Sequence, residues 1–515
     1  MKKYLLAGAL CFASAALRAA PVSGALPVSR ALRNLPGLPG LSASRYPASL
    51  FGIRSDGATL NTRSIQFAID YIQGKGGGTL VFQVGRYLTG SIYLKSGVSL
   101  DLEEGAVLLG SLNPFDYDRK LFTAMIFAYG EHDIAITGKG VIDGQGRALA
   151  ENVTDVIQKG LIKDLFRNDR PEVEARAMLI NFRSCTNVLV RGVTLQNSAS
   201  WVEAYDQCHN LWLDSLHVDS KAFWNNDGID IIDCDSVAVT HSYVDAADDG
   251  ICLKSSDTLA SCKNVYILDN TVRSSANAIK FGTTSYGGFS HVRITGNRVF
   301  DTYRSAIALE AVDGGFLEDV LVDSLRAVHT GNALFIRLGE RVAGKKSRLE
   351  NVRIRNVDVE IAPGKPDAGY AYEGPVEDMP RNISPVVIVG LPGQLITDVW
   401  LDNIIVKYPG GGNPLFARTG LDELDKVPER PDAYPDFSMF RELPAWGIYI
   451  RHAQGIQMTK VSLFCDREDY RTAIVLDDVH RSGFVSIHIT EPGRKEGFYV
   501  YKSSEISGRT TGLLR

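Results

Sequence analysis

The sequence predicts an all-β chain wound into a single-domain parallel β-helix, and three observations carry that reading. A short segment recurs through the middle of the chain: Ser184-Cys185-Thr186-Asn187-Val188, Gln207-Cys208-His209-Asn210-Leu211, Asp233-Cys234-Asp235-Ser236-Val237 and Ser261-Cys262-Lys263-Asn264-Val265. Phe289-Ser290-His291-Val292, Leu317-Glu318-Asp319-Val320 and Leu349-Glu350-Asn351-Val352 continue it, and the column Cys185, Cys208, Cys234, Cys262, Phe289, Leu317 and Leu349 steps by 23, 26, 28, 27, 28 and 32 residues. Each copy runs into alternating apolar residues, as in Val188-Leu189-Val190, then a polar turn and a second short strand. Steps of this size with several short strands each describe a coil whose rungs bury side chains only against their neighbours. The third observation is bulk: 515 residues, 45% hydrophobic and 22% charged, suffice for a large core and exclude wholesale disorder. A repeat architecture lets one body absorb a length that otherwise suggests two or more domains. A net charge of −5 with only short Lys/Arg runs leaves no footprint for nucleic acid.

In chain order, residues 1–20 read as an export signal. Lys2 and Lys3 form its positive end, residues 4–17 are apolar, and small residues from Ala13 to Ala20 offer cleavage positions. A membrane anchor is the alternative, but the run is short for a span and is broken by Arg18. The expectation is a periplasmic or secreted protein with no membrane span in the mature chain. Residues 21–49 read as a linker or extended entry segment, residues 50–490 as the catalytic β-helix, and residues 491–515 as a polar C-terminal tail. Within 62–73, Ile65, Ala68, Ile69 and Ile72 fall at helical spacing, with Asn61 or Thr62 as cap. Such a helix at the N-terminal end covers apolar core and strand edges that a first rung would otherwise expose. Short strands follow at 79–82, 87–90 and 98–102. Residues 147–174 interrupt the pattern with a charged insertion, its helix expected at 157–166, and the Pro/Gly-rich stretches 363–385 and 409–444 interrupt it again. Long insertions on a solenoid build the walls of its groove.

Cys185, Cys208, Cys234 and Cys262 share one repeat position. Stacked neighbours about 4.8 Å apart make a buried column of thiols a better reading than disulfides. No C-x-x-C or histidine cluster accompanies them, so neither a metal nor another cofactor is expected.

Chemistry concentrates between Trp224 and Lys254. Asn225-Asn226-Asp227-Gly228 and Ala247-Asp248-Asp249-Gly250 each lead into a strand, and 21 residues, close to one rung, separate Asp227 from Asp248. Stacked turns then bring three carboxylates together, which raises at least one pKa and supplies an acid beside ionised bases. Asn-Asp-Gly and Asp-Asp-Gly are also ordinary turn sequences. Both together, one rung apart, point to hydrolysis of a glycosidic bond, which needs paired carboxyl groups.

Over roughly Ser55 to Glu310 the chain resembles glycoside hydrolase family 28, the polygalacturonases and their relatives in the pectin-lyase-like superfamily. The resemblance rests on the amphipathic helix with its following Gly-Gly-Gly-Thr, Tyr-Leu-Thr-Gly and Leu-Glu-Glu-Gly-Ala. It rests more specifically on Asn-x-Asp-Gly-Ile-Asp followed by Asp-Asp-x-Ile-x-Leu-Lys. It implies a right-handed helix and a hydrolase that inverts α-glycosidic bonds of a pectic poly- or oligosaccharide, of galacturonan or rhamnogalacturonan type. Asp248 would protonate the leaving oxygen. Asp227 and Asp249 would activate water on the opposite face, with acid and base roughly 6.5–9.5 Å apart. Two departures stand out. The family's Gly-His-Gly aligns with Ala276-Asn277-Ala278, and Asn277 can orient a carboxyl or hydroxyl but cannot titrate. The family's Arg-Ile-Lys, which grips a uronate carboxylate, aligns with Ala308-Leu309-Glu310. An exo-acting or rhamnogalacturonan-directed enzyme therefore fits better than an ordinary endo-polygalacturonase.

Candidate substrate-binding residues are Asn225, Lys254, Asn277, Lys280, Glu310 and Arg337, with a salt bridge from Glu310 to Arg337 or Lys254 as the structural alternative. Trp201 and Trp224 are candidates for sugar stacking or for core packing. Two rivals remain at this level: a lyase on the same fold, with calcium held by the three aspartates and Lys280 or Arg337 as base, and a non-catalytic carbohydrate-binding β-helix. The expected partner is a carbohydrate, and oligomeric state is open.

Overall fold

The computed structural model describes residues 44–119, 122–163, 166–167, 170–364, 381–493 and 497–509. The export segment, most of the linker and most of 363–385 lie outside the described residues.

The chain winds as a right-handed parallel β-helix with three strand ladders around one core. Ala124–Tyr129, Met178–Arg183, Glu203–Asp206, Ile229–Ile232, Ile251–Ser255 and Ile279–Ser285 pair in that order in the first ladder. His132–Gly138, Thr186–Arg191, His209–Asp214, Asp235–Thr240, Cys262–Leu268 and Gly288–Thr295 form the second. Val141–Asp143, Thr194–Gln196, His217–Ser220, Tyr243–Ala246 and Thr271–Ser274 form the third. Alternate residues of each strand point inward. Ile229, Ile231, Ile251, Leu253, Ile279, Phe281, Ile307 and Leu309 accordingly enter one continuous buried core. The recurrent segment marks the corner into the second ladder. There Asn187, Asn210, Ser236 and Asn264 adopt left-handed backbone angles that short polar residues tolerate.

The cysteine column is present. Cys185, Cys208, Cys234 and Cys262 are free and buried, and the Cys208 amide donates to Cys234 Sγ at 3.3 Å. Helix Thr62–Gly74 buries Ile65, Ala68, Ile69 and Ile72 against the first rungs. Asn61 precedes it, but its side chain bonds Arg54 and the Thr59 carbonyl rather than capping the helix amides.

Three expectations are corrected. The helix of the first insertion is Gly146–Gln158, not 157–166, because Leu149, Ala150, Val153 and Ile157 supply the buried stripe and Gly160, at φ 69°, follows its end. Pairing begins at Arg45–Pro47, inside the expected linker, against Gly78–Phe82. The polar segment after residue 490 is not merely a tail: Phe498–Tyr501 and Ser504–Arg509 add further strands to the coil.

The insertion at 409–444 shapes the outer face of the first ladder. Its Leu424, Val427, Phe437, Met439, Phe440 and Leu443 pack onto outward-facing Ala308, Phe335, Val387, Val389 and Tyr449 as a second buried cluster. The C-terminal half of that face is thereby covered. On the N-terminal half, Tyr93, Phe122, Tyr129 and Trp201 remain partly exposed around Phe127 and Ala204.

Buried asparagines tie the third corner. Asn270 accepts the Ser242 amide at 2.9 Å and donates to the Val239 carbonyl at 3.0 Å, and Asn297 repeats the pattern one rung on, accepting the Asn270 amide at 3.0 Å. Asn270→Ala strands buried backbone groups at a cost of about 1–3 kcal/mol, so the urea unfolding midpoint should fall accordingly. An unchanged midpoint would show that the ladder contributes nothing.

Candidate active site

Register decides which acids meet. Ile229, Ile251 and Ile279 stack across adjacent rungs, so Asp227, Asp249 and Asn277, each two residues earlier, form one column. Asp248 stacks instead on Asn226, to whose carbonyl its amide donates at 3.3 Å, and Ala276 and Arg304 extend that second column. The expectation that Asp227 stacks on Asp248 is thus shifted by one residue. The close approach also explains the glycines: a Cβ at Gly228 would stand 2.5 Å from the Gly250 carbonyl oxygen, and one at Gly250 2.7 Å from that of Ala278.

Asp227, Asp248 and Asp249 each place a carboxylate oxygen within 4.8 Å of the others. This is tighter than the 6.5–9.5 Å expected from inversion in general. Asp227 and Asp249 are 5% and 4% exposed, whereas Asp248 is only half-buried and is the most open of the three.

Two lysines from the next rung position neutralise the group. Lys254 Nζ donates to Asp227 Oδ2 at 3.0 Å and also to Asp230, and lies 4.6 Å from the Trp201 ring centre. Lys280 Nζ donates to Asp249 Oδ2 at 3.0 Å and to the Tyr434 hydroxyl at 2.7 Å. The Asn277 amide and Nδ2 both donate to Asp249 Oδ1, at 3.1 and 2.9 Å, while its own Oδ1 accepts the Ser305 amide at 3.2 Å.

These contacts split the titrations. Burial, then the charges of Asp227 and Asp249, pushes Asp248 up to about 7. Burial also pushes Asp227 up to about 7 despite Lys254. Burial would raise Asp249 as well, but Lys280, Lys254, the Asn277 hydrogen bond and Arg304 outweigh it and hold that carboxyl below its ordinary range. The trio therefore titrates as a unit in which Asp249 stays ionised while a proton resides on Asp227 or Asp248 near neutral pH.

Other expected site residues are placed differently. Asn225 Oδ1 accepts from the fully buried Arg176 at 2.9 Å, so it anchors the turn that carries Asp227. Arg337 is 1% exposed and donates to the carbonyls of Val389, Gly390, Glu429 and Arg430. Its charged neighbours are Glu429 and Arg451, not the aspartates. Glu310 pairs in register with Arg337, yet its carboxyl lies among the charges of Lys280, Asp249, Asp436 and Arg304. The expected Glu310 salt bridge to Arg337 or Lys254 is not among the ion pairs of the described residues, because Arg337 is taken by carbonyls and Lys254 by Asp227 and Asp230. Trp201 stacks on Phe122 beside Lys254, and Arg170 covers the Trp224 ring at 4.3 Å.

Sequence reasoning assigned no site role to Asp230, Arg304 or Asp436, and for the aromatic, basic segment that begins at Tyr434 it offered a fold back toward the groove without fixing it. Arg304 was legible in principle, because it follows Ala276 by the same step of 28 that carries Asn277 to Ser305. Tyr434 and Asp436 arrive on the 409–444 insertion, and Asp436 pairs with Arg304 at 3.1 Å. No periodicity could have placed them.

The same three aspartates are also the residues that could hold a cation. Lys254 and Lys280 already supply, at 3.0 Å each, the charge that a divalent ion would bring.

Residues 91–274 match the family model described as "Glycosyl hydrolases family 28". The chain is 25% identical over 344 residues to a "Probable polygalacturonase" of Vitis vinifera, covering 62% of this chain and 61% of the relative. It is 24% identical over 316 residues to an exo-poly-alpha-D-galacturonosidase of Dickeya chrysanthemi, covering 52% of each. The chain thus spans half to three fifths of these relatives. Among solved structures, an exopolygalacturonase of Thermotoga maritima superposes with a TM-score of 0.62 at 20% identity, covering 85% of this chain and 95% of that one, and shows the shared fold.

Because the folded pKa of Asp248 lies above the ordinary carboxyl value of 3.8, the stability tied to its proton is full below about pH 4 and is lost as pH rises to about 7. Asparagine suffers no such loss. Asp248→Asn should therefore be more stable than the parent at pH 8, on the order of 1–3 kcal/mol, with the gap closing toward pH 4. Thermal unfolding across pH measures it, and a pH-independent gap would contradict the raised titration.

Proposed function

We propose that this chain, which belongs to glycoside hydrolase family 28, hydrolyses an α-glycosidic bond of a pectic saccharide with inversion, removing units from one chain end. The observation that carries the reading is the trio of carboxylates within 4.8 Å, with Asp248 raised and Asp249 lowered. Asp248, the most open of the three, gives its proton to the glycosidic oxygen as the C1–O bond breaks. A water held by Asp249 and Asp227 attacks C1 from the opposite face and passes its proton to that pair. Exchange with solvent then returns one proton to Asp248 and removes one from the base. Ionised Asp249 also stabilises the positive charge that develops on the sugar ring. The tight spacing suits a water gripped by two carboxylates at once rather than by a single base across the ring.

One-ended action is supported by the second cluster, in which residues of 409–444 cover the outer face beyond Ala308. The opposite side, with Trp201 and Tyr129 partly exposed, is where a sugar chain can lie. The exo-acting name of the Dickeya chrysanthemi relative points the same way. Export to the periplasm or medium suits such a substrate. No helix among the described residues is long and apolar enough to cross a membrane.

Three outcomes test this. Asp248→Asn should lose about 10²–10⁴-fold in kcat while still binding oligosaccharide, and proton NMR of the parent reaction should show the β-anomer of an α-linked substrate first. Initial α-anomer would indicate retention, and an ultraviolet-absorbing unsaturated product would indicate the lyase. Digestion of a pectic polymer should release one short product from the start with little loss of viscosity. A spread of lengths would overturn one-ended action.

A further inference from the structure

Across the first ladder from the aspartates, the same face opens into a second cleft of about 470 Å³. Arg183, Asp206, Gln207, Asp257, Thr258 and Tyr286 line it, and none of them belongs to the carboxylate group or its lysines. We propose that this cleft binds a neutral sugar carried as a short branch on the saccharide whose backbone is cut at the aspartates. The inference rests on the hydrolase reading above and adds a branch to its substrate.

Register places the cleft on the groove face. Tyr129, Arg183, Asp206, Ile232 and Lys254 pair across successive rungs near the C-terminal ends of their strands. Asp206 lies two residues beyond Ala204, which packs with Ile232 in the outer cluster, so its side chain leaves the strand on that same side. Lys254, last in the column, holds Asp227 at 3.0 Å. A saccharide on this strip of strands therefore has the aspartates at one edge and the cleft at the other.

The lining is held in fixed positions. Asp233, 7% exposed, commits both carboxylate oxygens to the turn after the next strand. Its Oδ1 accepts the Ser255 hydroxyl at 2.6 Å, and its Oδ2 accepts the Ser256 and Asp257 amides at 2.8 and 2.9 Å. That turn presents Ser256, Asp257 and Thr258 to the cleft. Gln207 Nε2 donates to Asp257 Oδ2 at 3.4 Å, and Arg183 Nε stands 3.2 Å from Asp206 Oδ2. Carboxylates, an amide and hydroxyls suit the hydroxyls of a sugar, and the half-buried Tyr286 ring suits its apolar face. Small-ligand sites occupy about 300–1,000 Å³, and this cleft falls in that range. The charge balance selects against a uronate. Asp206, Asp233 and Asp257 face Arg183 and Lys345, and Arg183 is already paired. Burial, opposed by Arg183 and reinforced by Asp233 and Asp257, pushes the Asp206 carboxyl up. A further carboxylate would add to that repulsion.

The test compares kcat/KM on linear galacturonan and rhamnogalacturonan oligosaccharides with the same oligosaccharides bearing one neutral pentose branch beside the bond to be cut. The parent should favour the branched form of the backbone it cleaves by on the order of 10-fold, mainly through KM. Tyr286→Ala should erase most of that preference, and Tyr286→Phe, which keeps the ring, should retain it. Thr258→Ala, at an exposed position, should lower the preference and guards against a Tyr286→Ala chain that fails to fold. A parent that treats branched and linear forms alike, or prefers the linear one, overturns the inference while leaving hydrolysis intact. So does a folded Tyr286→Ala or Thr258→Ala that keeps the full preference. Cleavage of none of the substrates overturns the hydrolase reading and the inference with it.

Discussion

Parallel stacking leaves this protein no choice about charge. Once Ile229, Ile251 and Ile279 lock in register, Asp227 and Asp249 must sit one rung apart, with Asp248 beside them. Three carboxylates in so small a space would repel one another out of a folded chain without nearby cations. The compensation uses the same register. Lys254 and Lys280 stand at outward positions of consecutive strands and reach back to Asp227 and Asp249 at 3.0 Å each. Since Asp249 alone also receives two hydrogen bonds from Asn277, compensation is uneven, and unevenness separates an ionised carboxylate from a proton-bearing neighbour. The proposed chemistry rests on how unequally one lattice of rungs distributes its positive charge.

A second constraint acts on access. A solenoid offers a long open groove by default. Here the outward residues of the C-terminal rungs turn apolar, with Phe335, Val387, Val389 and Tyr449, and the insertion at 409–444 covers them. The insertion does more than seal. Through Tyr434 on Lys280 and Asp436 on Arg304 it is bonded into the electrostatics of the carboxylate group. Arg337 belongs to this joint as well: by donating to Glu429 and Arg430 carbonyls it pins the insertion to the coil.

Much of this was legible in the linear chain because a coil writes its register into sequence. The steps between the cysteine-bearing segments announced the ladders, and the spacing of the two acidic clusters brought the three aspartates together. Arg337 was misjudged because an outward position on a strand says nothing about what folds over it. Asn225 looked like a ligand contact, but Arg176, 49 residues away in sequence, reaches its side chain. The segment from Tyr434 could be read as folding toward the groove, but the partners of Tyr434 and Asp436 could not, because an insertion has no period and its contacts follow from tertiary packing alone. The helix at Gly146–Gln158 was displaced in the reading for a local reason: charged residues masked a buried stripe that begins at Leu149.

The central claim is that Asp227, Asp248 and Asp249 act as one reacting unit. The most direct measurement is kcat/KM for the three single aspartate-to-asparagine variants and the triple variant on one substrate. If the trio works together, at least one single change should cost nearly as much as all three, since removing one member idles the rest. Losses that simply add across the set, or singles that stay close to the parent, would contradict it.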